Sequence, residues 1–193
     1  MTSLIKVDSI QTSSGGTATA SSLGIGGVGK IGQVVTTTFT GTESTSVLAS
    51  AGNFTDSSVT ATLTPTTTSS KILVLATINI GASSASNGAH VGRFKQAISG
   101  GATTSVFVGA ASGNRIQASS GRGNEAQGSA TMLTNGFNFV LTPSTTSAVT
   151  ITYQFAARGG GSGTAYINQT GSDSDSTENQ VVPSAITLME VLA

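Results

Sequence analysis

Between residues 149 and 155 apolar and polar side chains alternate without a break: Val149, Ile151, Tyr153 and Phe155 against Thr150, Thr152 and Gln154. A period of two puts the four apolar residues on one side of an extended backbone, so this segment predicts a half-buried β-strand. Val59-Thr-Ala61-Thr-Leu63-Thr repeats the pattern with smaller residues, and Phe137-Asn-Phe139-Val-Leu141 is a third case. Residues 71–80 (KILVLATINI) are β-branched and apolar on both faces, which predicts a central strand covered from both sides. Further strands are expected over 31–40, 90–98, 104–109, 126–133, 164–168 and 185–192. Thr, Ser, Val and Gly dominate and Glu, Lys, Arg and Leu are scarce, so no stretch makes a good helix. Many short strands separated by Gly/Ser/Asn turns predict an all-β sandwich or barrel.

Composition narrows what kind of β-protein this is. Of 193 residues, 29 are Ser, 31 Thr and 25 Gly, while charged residues make up only 8%. Eight basic side chains balance eight acidic ones with no basic run, which argues against a nucleic-acid partner. The absence of cysteine excludes a disulfide framework, thiol catalysis and cysteine-ligated metal. An apolar content of 37% without net charge separates the chain from disordered sequences. A soluble monomer normally carries a mixed, well-charged surface. This chain has hydroxyls and amides instead, which suits a subunit whose surface is covered by copies of itself or by a partner.

Residues 1–10 (MTSLIKVDSI) read as one short extended segment, with Ile5 and Val7 alternating with Lys6 and Asp8 and with Leu4 and Ile10 near the ends. Residues 11–30 are mostly Ser, Thr, Gly and Ala, which offer too little apolar area to offset ordering. A linker of that length is unusual inside a compact domain. The chain therefore divides into an extended N-terminal arm and linker over 1–30 and a body over 31–193. The start lacks a basic region followed by an apolar stretch, and the longest apolar run falls far short of the ~18 residues of a spanning helix. Neither export nor membrane insertion is expected, and synthesis in a cytoplasm is. Inside the body, Leu63-Thr-Pro65-Thr-Thr-Thr-Ser69 matches Leu141-Thr-Pro143-Ser-Thr-Thr-Ser147 at six of seven positions. Proline ends strand pairing because it lacks an N–H, and the following hydroxyls satisfy turn backbone groups, so both copies predict equivalent strand–turn–strand corners, one in each sheet.

Few residues point to chemistry. Gly24-Ile-Gly26-Gly27-Val-Gly29-Lys30 fits G-x-G-x-x-G and most of a phosphate loop, but Ile31 stands where magnesium binding needs Ser or Thr, and no strand–helix context surrounds it. It reads as flexible linker, and no cofactor is expected. Asp173, Asp175 and Glu178 form the one acidic cluster. Calcium would take such oxygens, but the loop glycine and terminal glutamate of a helix–loop–helix site are missing, so a solvated loop is the better reading. His90 is the sole imidazole, and no nucleophile elbow accompanies it. Glu43, Asp56, Glu125 and the 173–178 cluster offer no distinct carboxylate pair. Arg93, Lys95, Arg115, Arg122 and Arg158 are spread out and predict isolated surface pairs. No catalytic or metal site is expected.

The opening Ser3-Leu-Ile-Lys-Val-Asp-Ser-Ile-Gln11 followed by Thr, Ser and Gly resembles the N-termini of tail-fibre-like virion proteins of marine bacteriophages, including those infecting cyanobacteria. The tract Leu63-Thr-Pro65 to Leu75 and the ending Tyr166-Ile-Asn168 … Asp173 … Pro183-Ser-Ala-Ile-Thr-Leu-Met-Glu190 resemble the body of the same group. The resemblance implies an antiparallel, jelly-roll-like β-sandwich, assembly as a homotrimer, and a place on the virion exterior after synthesis in the bacterial host. It brings no catalytic residues. The chain lacks a heptad region and a long repeat shaft, which favours a short tail fibre, appendage or connector. Its partners would then be itself and virion proteins of the tail, collar or capsid. The alternatives are a decoration of the capsid surface or a module that binds host glycans, with Tyr153 or Tyr166 as stacking platforms. Leu4, Ile5, Val7 and Ile10 are the candidate attachment residues, because an alternating arm can add a strand to an exposed sheet edge.

Overall fold

The computed structural model describes residues 29–49, 52–83, 90–121, 131–157, 163–172, 175–177 and 179–193. Leu4, Ile5, Val7 and Ile10 lie outside the described residues, as do Arg122, Glu125, Arg158, Asp173 and Glu178. Among the described residues there are eleven strands and no α-helix: β1 (Ile31–Phe39), β2 (Glu43–Thr45), β3 (Thr55–Leu63), β4 (Lys71–Ala82), β5 (His90–Ile98), β6 (Thr103–Val106), β7 (Ser120–Gly121), β8 (Met132–Leu141), β9 (Val149–Ala157), β10 (Ala165–Ile167) and β11 (Ser184–Val191).

The strands form two antiparallel sheets packed face to face. In the first, β8 pairs with β4 along residues 72–81, which fills one edge of β4. On the other edge β11 pairs with residues 71–77 and β10 with 80–82, so these two lie end to end. Beyond them β1 pairs with β11 and β2 with β10. In the second sheet β9 sits between β3 and β5, and β6 and β7 share the far edge of β5. Counting β1, β3, β4, β5, β6, β8, β9 and β11 as strands one to eight, the two sheets read 1-8-3-6 and 2-7-4-5. This is the order of two interlocked Greek keys, a jelly roll.

Alternation decides which side chains fill the space between the sheets. Val59, Ala61 and Leu63 on β3, Ile72 to Ile80 at even positions on β4, and Ile186 and Leu188 on β11 all point inward and are buried. Each large one stabilises the fold by roughly 1.5–3 kcal/mol. Val149, Ile151, Tyr153 and Phe155 do the same from β9, the face expected from their spacing. The Phe94 ring meets Phe137, Phe139 and Tyr153 at centroid distances of 5.1, 5.0 and 5.3 Å. Tyr153 keeps its hydroxyl paired with Ser120 Oγ at 3.0 Å, and burial pushes its pKa up to about 12 against that bond. Gly92 lies directly beneath that hydroxyl, where any Cβ would overlap it.

Two expectations change. The strands expected over 126–133 and 137–141 are one element, β8, which runs straight through Gly136; residues 122–130 lie outside the described residues. β4 is central in its sheet, but it is not covered on both sides. Lys71, Leu75 and Thr77 are exposed on its outer face, because the described residues form two layers and place nothing beyond that sheet.

The two Leu-Thr-Pro tracts are corners, as expected, and they lie side by side. Leu63 pairs with Val149, and Ile72 pairs with Leu141. Neither stays within one sheet, as the repeat alone suggested; each tract carries the chain from one sheet to the other, β3 to β4 and β8 to β9. The first is tied to β11 by Glu190, whose side chain is fully buried. Thr66 donates its N–H (2.6 Å) and hydroxyl (2.7 Å) to Oε1, and Gln33 Nε2 donates to Oε2 at 2.8 Å and to the Thr64 carbonyl at 2.7 Å. Burial alone would push this carboxyl up. The bonds from Gln33, Thr66 and Ser70 outweigh it and hold the pKa down at about 2. In the second tract Ser144, which aligns with Thr66, adopts φ 52°, so the sequence match does not extend to the backbone.

Candidate assembly surface

The outer face of the first sheet carries a row of apolar side chains across all its long strands. Register places Val34 opposite Met189, Met189 opposite Leu73, and Leu73 opposite Val140. The next row is Thr36, Thr187, Leu75 and Asn138, and the next Thr38, Ala185, Thr77 and Gly136. Val34 is 53% exposed, Val140 56% and Leu75 37%, and Ile31 adds a further 49% beside the row. Single exposed apolar residues need no explanation, but a contiguous patch marks an interaction site. Among the outward positions of β1, β4, β8 and β11, Lys71 is the one charge. A shallow depression of about 430 Å³ opens on the same face beside Leu75, Thr77, Gly136 and Asn138.

Threonine pairs stabilise the outer faces where charges are lacking. Thr36 bonds Thr187 at 2.9 Å on the first sheet; Thr60 bonds Thr152 at 2.9 Å and Thr62 bonds Thr150 at 2.8 Å on the second. Such cross-strand pairs contribute roughly 0.2–1 kcal/mol each.

The second sheet's outer face differs in kind. Lys95 pairs with Asp56 Oδ2, Gln154 donates to Asp56 Oδ1 at 2.6 Å, and Arg93 Nε donates to Gln154 Oε1 at 2.8 Å. The Arg93 guanidinium lies 4.0 Å from the centroid of the Phe54 ring. Partial burial raises the Asp56 pKa, but the bonds from Lys95 and Gln154 and the Lys95 and Arg93 charges hold it below the ordinary carboxylate value. Sequence spacing pointed to isolated pairs here. The register brings Arg93, Lys95 and Asp56 into one network because β3, β9 and β5 lie side by side.

Other residues singled out from sequence fall elsewhere. His90 is 1% exposed at the start of β5. Tyr153 is a core residue and has no face open to a sugar, which removes it as a stacking platform; Tyr166 is half-buried on β10. Asn168 is buried and donates to the Phe39 and Gly41 carbonyls at 2.8 Å each. Glu43 accepts from the Ser58 N–H and hydroxyl. Gly29 and Lys30, the end of the glycine motif, continue the ladder: the Gly29 N–H donates to the Leu192 carbonyl, and the Leu192 N–H donates to the Lys30 carbonyl. Among the described residues no group of three or more His, Asp and Glu gathers to hold a metal, and no helix is long and apolar enough to cross a membrane. The apolar row itself went unseen in the sequence, because its members sit on four strands up to 155 residues apart.

No family model matches the chain, and no curated protein matches it. Solved structures similar to it include the structure of infectious bursal disease virus Gx strain, at 14% identity and TM-score 0.38, covering 98% of this chain and 43% of that one. Another is the VP2 subviral particle of infectious bursal disease virus, at 12% identity and TM-score 0.39, covering 98% and 42%. The chain thus spans less than half the length of the chains it matches.

Proposed function

We propose that this protein is a structural subunit of a bacteriophage virion, a short tail-fibre or tail-appendage protein that attaches through its N-terminal arm and holds its jelly-roll body outward. The observation that carries the reading is the apolar row Val34–Met189–Leu73–Val140, left open on a chain of zero net charge. A face of that kind is stable in water when another protein surface covers it. The sequence resemblance at 3–11, 63–75 and 166–190 supplies the biological setting and the expectation of a homotrimer. The protein acts by assembly, and no reaction is assigned to it; His90 is shut away from solvent.

Attachment falls to Leu4, Ile5, Val7 and Ile10, which add a strand to an edge on the particle, with the linker to residue 30 absorbing symmetry mismatch. The test compares the full chain with a variant lacking residues 1–12. The truncated protein is expected to fold and self-associate as before and to be missing from purified particles. Normal incorporation of the truncated protein overturns the role of the arm. Imaging of intact virions then places the subunit: density at the tail supports an appendage, and density over the capsid faces supports the decoration alternative.

The Phe54–Arg93–Gln154–Asp56–Lys95 network favours a second reading, a module that binds host glycans. Aromatic, amide, guanidinium and carboxylate groups on one sheet face are the chemistry that hydrogen-bonds and stacks on sugars. Specific binding of the full chain on a glycan array, lost in Arg93→Ala, supports it. A blank array refutes it.

A further inference from the structure

Among the described residues β8 pairs on one side only, with β4, and its other edge is built differently from the other edges of the sandwich. A sheet edge presents unpaired N–H and C=O groups, and proteins normally blunt it with charge, proline, a bulge or brevity. β3 has a register shift between Asp56 and Thr60, and Glu43 caps its Ser58 N–H at 3.0 and 3.1 Å. β1 has a shift between Ile31 and Val34. β6 and β7 are four and two residues long. β8 has none of these devices: its ten residues pair with β4 without a shift and contain neither charge nor proline.

Two further observations fall on the same strand. Gly136 sits mid-strand without a positive φ, and a Cβ built on it meets nothing within 4 Å. Nothing among the described residues requires glycine there, although glycine weakens a strand; with no bulge or bend at this position, close approach of another backbone is the remaining use of such a residue. One residue away, on the inward side of the strand, Asn135 Nδ2 is a buried donor with no hydrogen-bond partner among the described residues, a group that costs stability.

We propose that β8 pairs antiparallel with β8 of a second copy across a two-fold axis at Gly136. The outward residues of β8 are Met132, Thr134, Gly136, Asn138 and Val140, and they read the same in kind from either end: apolar, polar, glycine, polar, apolar. With the axis at Gly136, Met132 faces Val140 of the second copy, Thr134 faces Asn138, and the two glycines face each other. The row Val34–Met189–Leu73–Val140 then continues onto the second copy's Met132. Shifting the axis by one residue to Phe137 sets Thr134 against Val140 and loses this match. The strand carries no charge to repel its own copy, and a charged partner gains nothing from it. Two-fold contacts of this isologous kind are the commonest way identical chains associate. Three-fold association through another surface leaves this edge to join trimers in pairs. The inference rests on the reading of the chain as an assembling subunit.

The chain has no cysteine, so one introduced residue gives an unambiguous test. Residues facing each other in an antiparallel pair lie ~4.5–5.5 Å apart at Cα, within disulfide range. Gly136→Cys is expected to cross-link the full chain to a covalent dimer under mild oxidation. Asn138→Cys, whose two copies would stand ~14 Å apart, is expected to stay uncross-linked. Sedimentation of both variants under reducing conditions accompanies the oxidation. Cross-linking at 136 and not at 138 supports the proposal. Assemblies without a 136 cross-link, or with equal cross-linking at both positions, overturn it while leaving self-association standing. Monomers throughout overturn both.

Discussion

Replacing Glu190 with glutamine should remove most of the acid sensitivity of this fold, and the geometry sets the size of the effect. The carboxylate is fully buried and receives the Thr66 N–H, the Thr66 hydroxyl, the Gln33 amide and the Ser70 hydroxyl. Its pKa of about 2 in the folded chain compares with 4.5 for the ordinary group. The folded value is the lower one, so the unfolded chain binds the proton more tightly. The stabilisation is fully present above pH ~4.5 and is lost as pH falls from there through the folded value near 2. A gap of this size corresponds to at most about 3 kcal/mol, less what solvent at the exposed Thr66 screens. Glutamine keeps the shape but turns one acceptor into a donor facing Thr66 or Gln33, so a loss of similar size, roughly 2–3 kcal/mol, is expected at pH 7. For a chain of this length that lowers the melting temperature by roughly 4–12 °C. Urea unfolding at pH 7, 4 and 3, at one protein concentration, measures both quantities. The native chain should weaken steadily over the acid range, and Glu190→Gln should start weaker and stay nearly level. An identical acid slope in the two proteins would refute the assignment of that stability to Glu190.

Gly92→Ala drives a methyl group into the Tyr153 hydroxyl and should cost about 1–3 kcal/mol or prevent folding; thermal melts of Gly92→Ala beside Gly121→Ala, where a Cβ meets only one atom at 3.9 Å, check it. Lys95→Met removes an ion pair whose Asp56 partner is 51% exposed and also held by Gln154, so the loss should stay below about 1 kcal/mol and shrink in high salt; a salt-independent loss above ~2 kcal/mol in urea titrations would contradict this.

Much of the fold was legible because burial follows alternation. Val149 to Phe155 and His90 to Ile98 could be placed as strands from residue order alone, but β9 is not the half-buried strand its alternation predicts: Thr152 and Gln154 on its polar side are buried as well, because β3 and β5 flank it. β2 and β7, three and two residues long, are too short to show any period. β8 read as two pieces because Gly136 interrupts its pattern, and nothing among the described residues accounts for that glycine. The covered faces expected for 71–80 followed from its apolar content, but hydrophobicity does not say whether the cover is the same chain or another one. Glu190 gave no local signal: its partners lie 124 and 157 residues away, and a lone carboxylate in a strand looks like a surface residue until the corner folds over it.

The central claim is that the open face of the first sheet is an interface, and sedimentation velocity on the full chain tests it most directly. Val34→Lys with Leu75→Lys places two charges on outward positions, where strand substitutions change stability by only about 0.5 kcal/mol each. The native chain is expected to sediment as an oligomer, and the double variant as a smaller species, no larger than the pair joined through β8, with unchanged circular dichroism. A native chain that sediments as a monomer at every concentration, or a double variant that sediments like the native chain, would contradict the account.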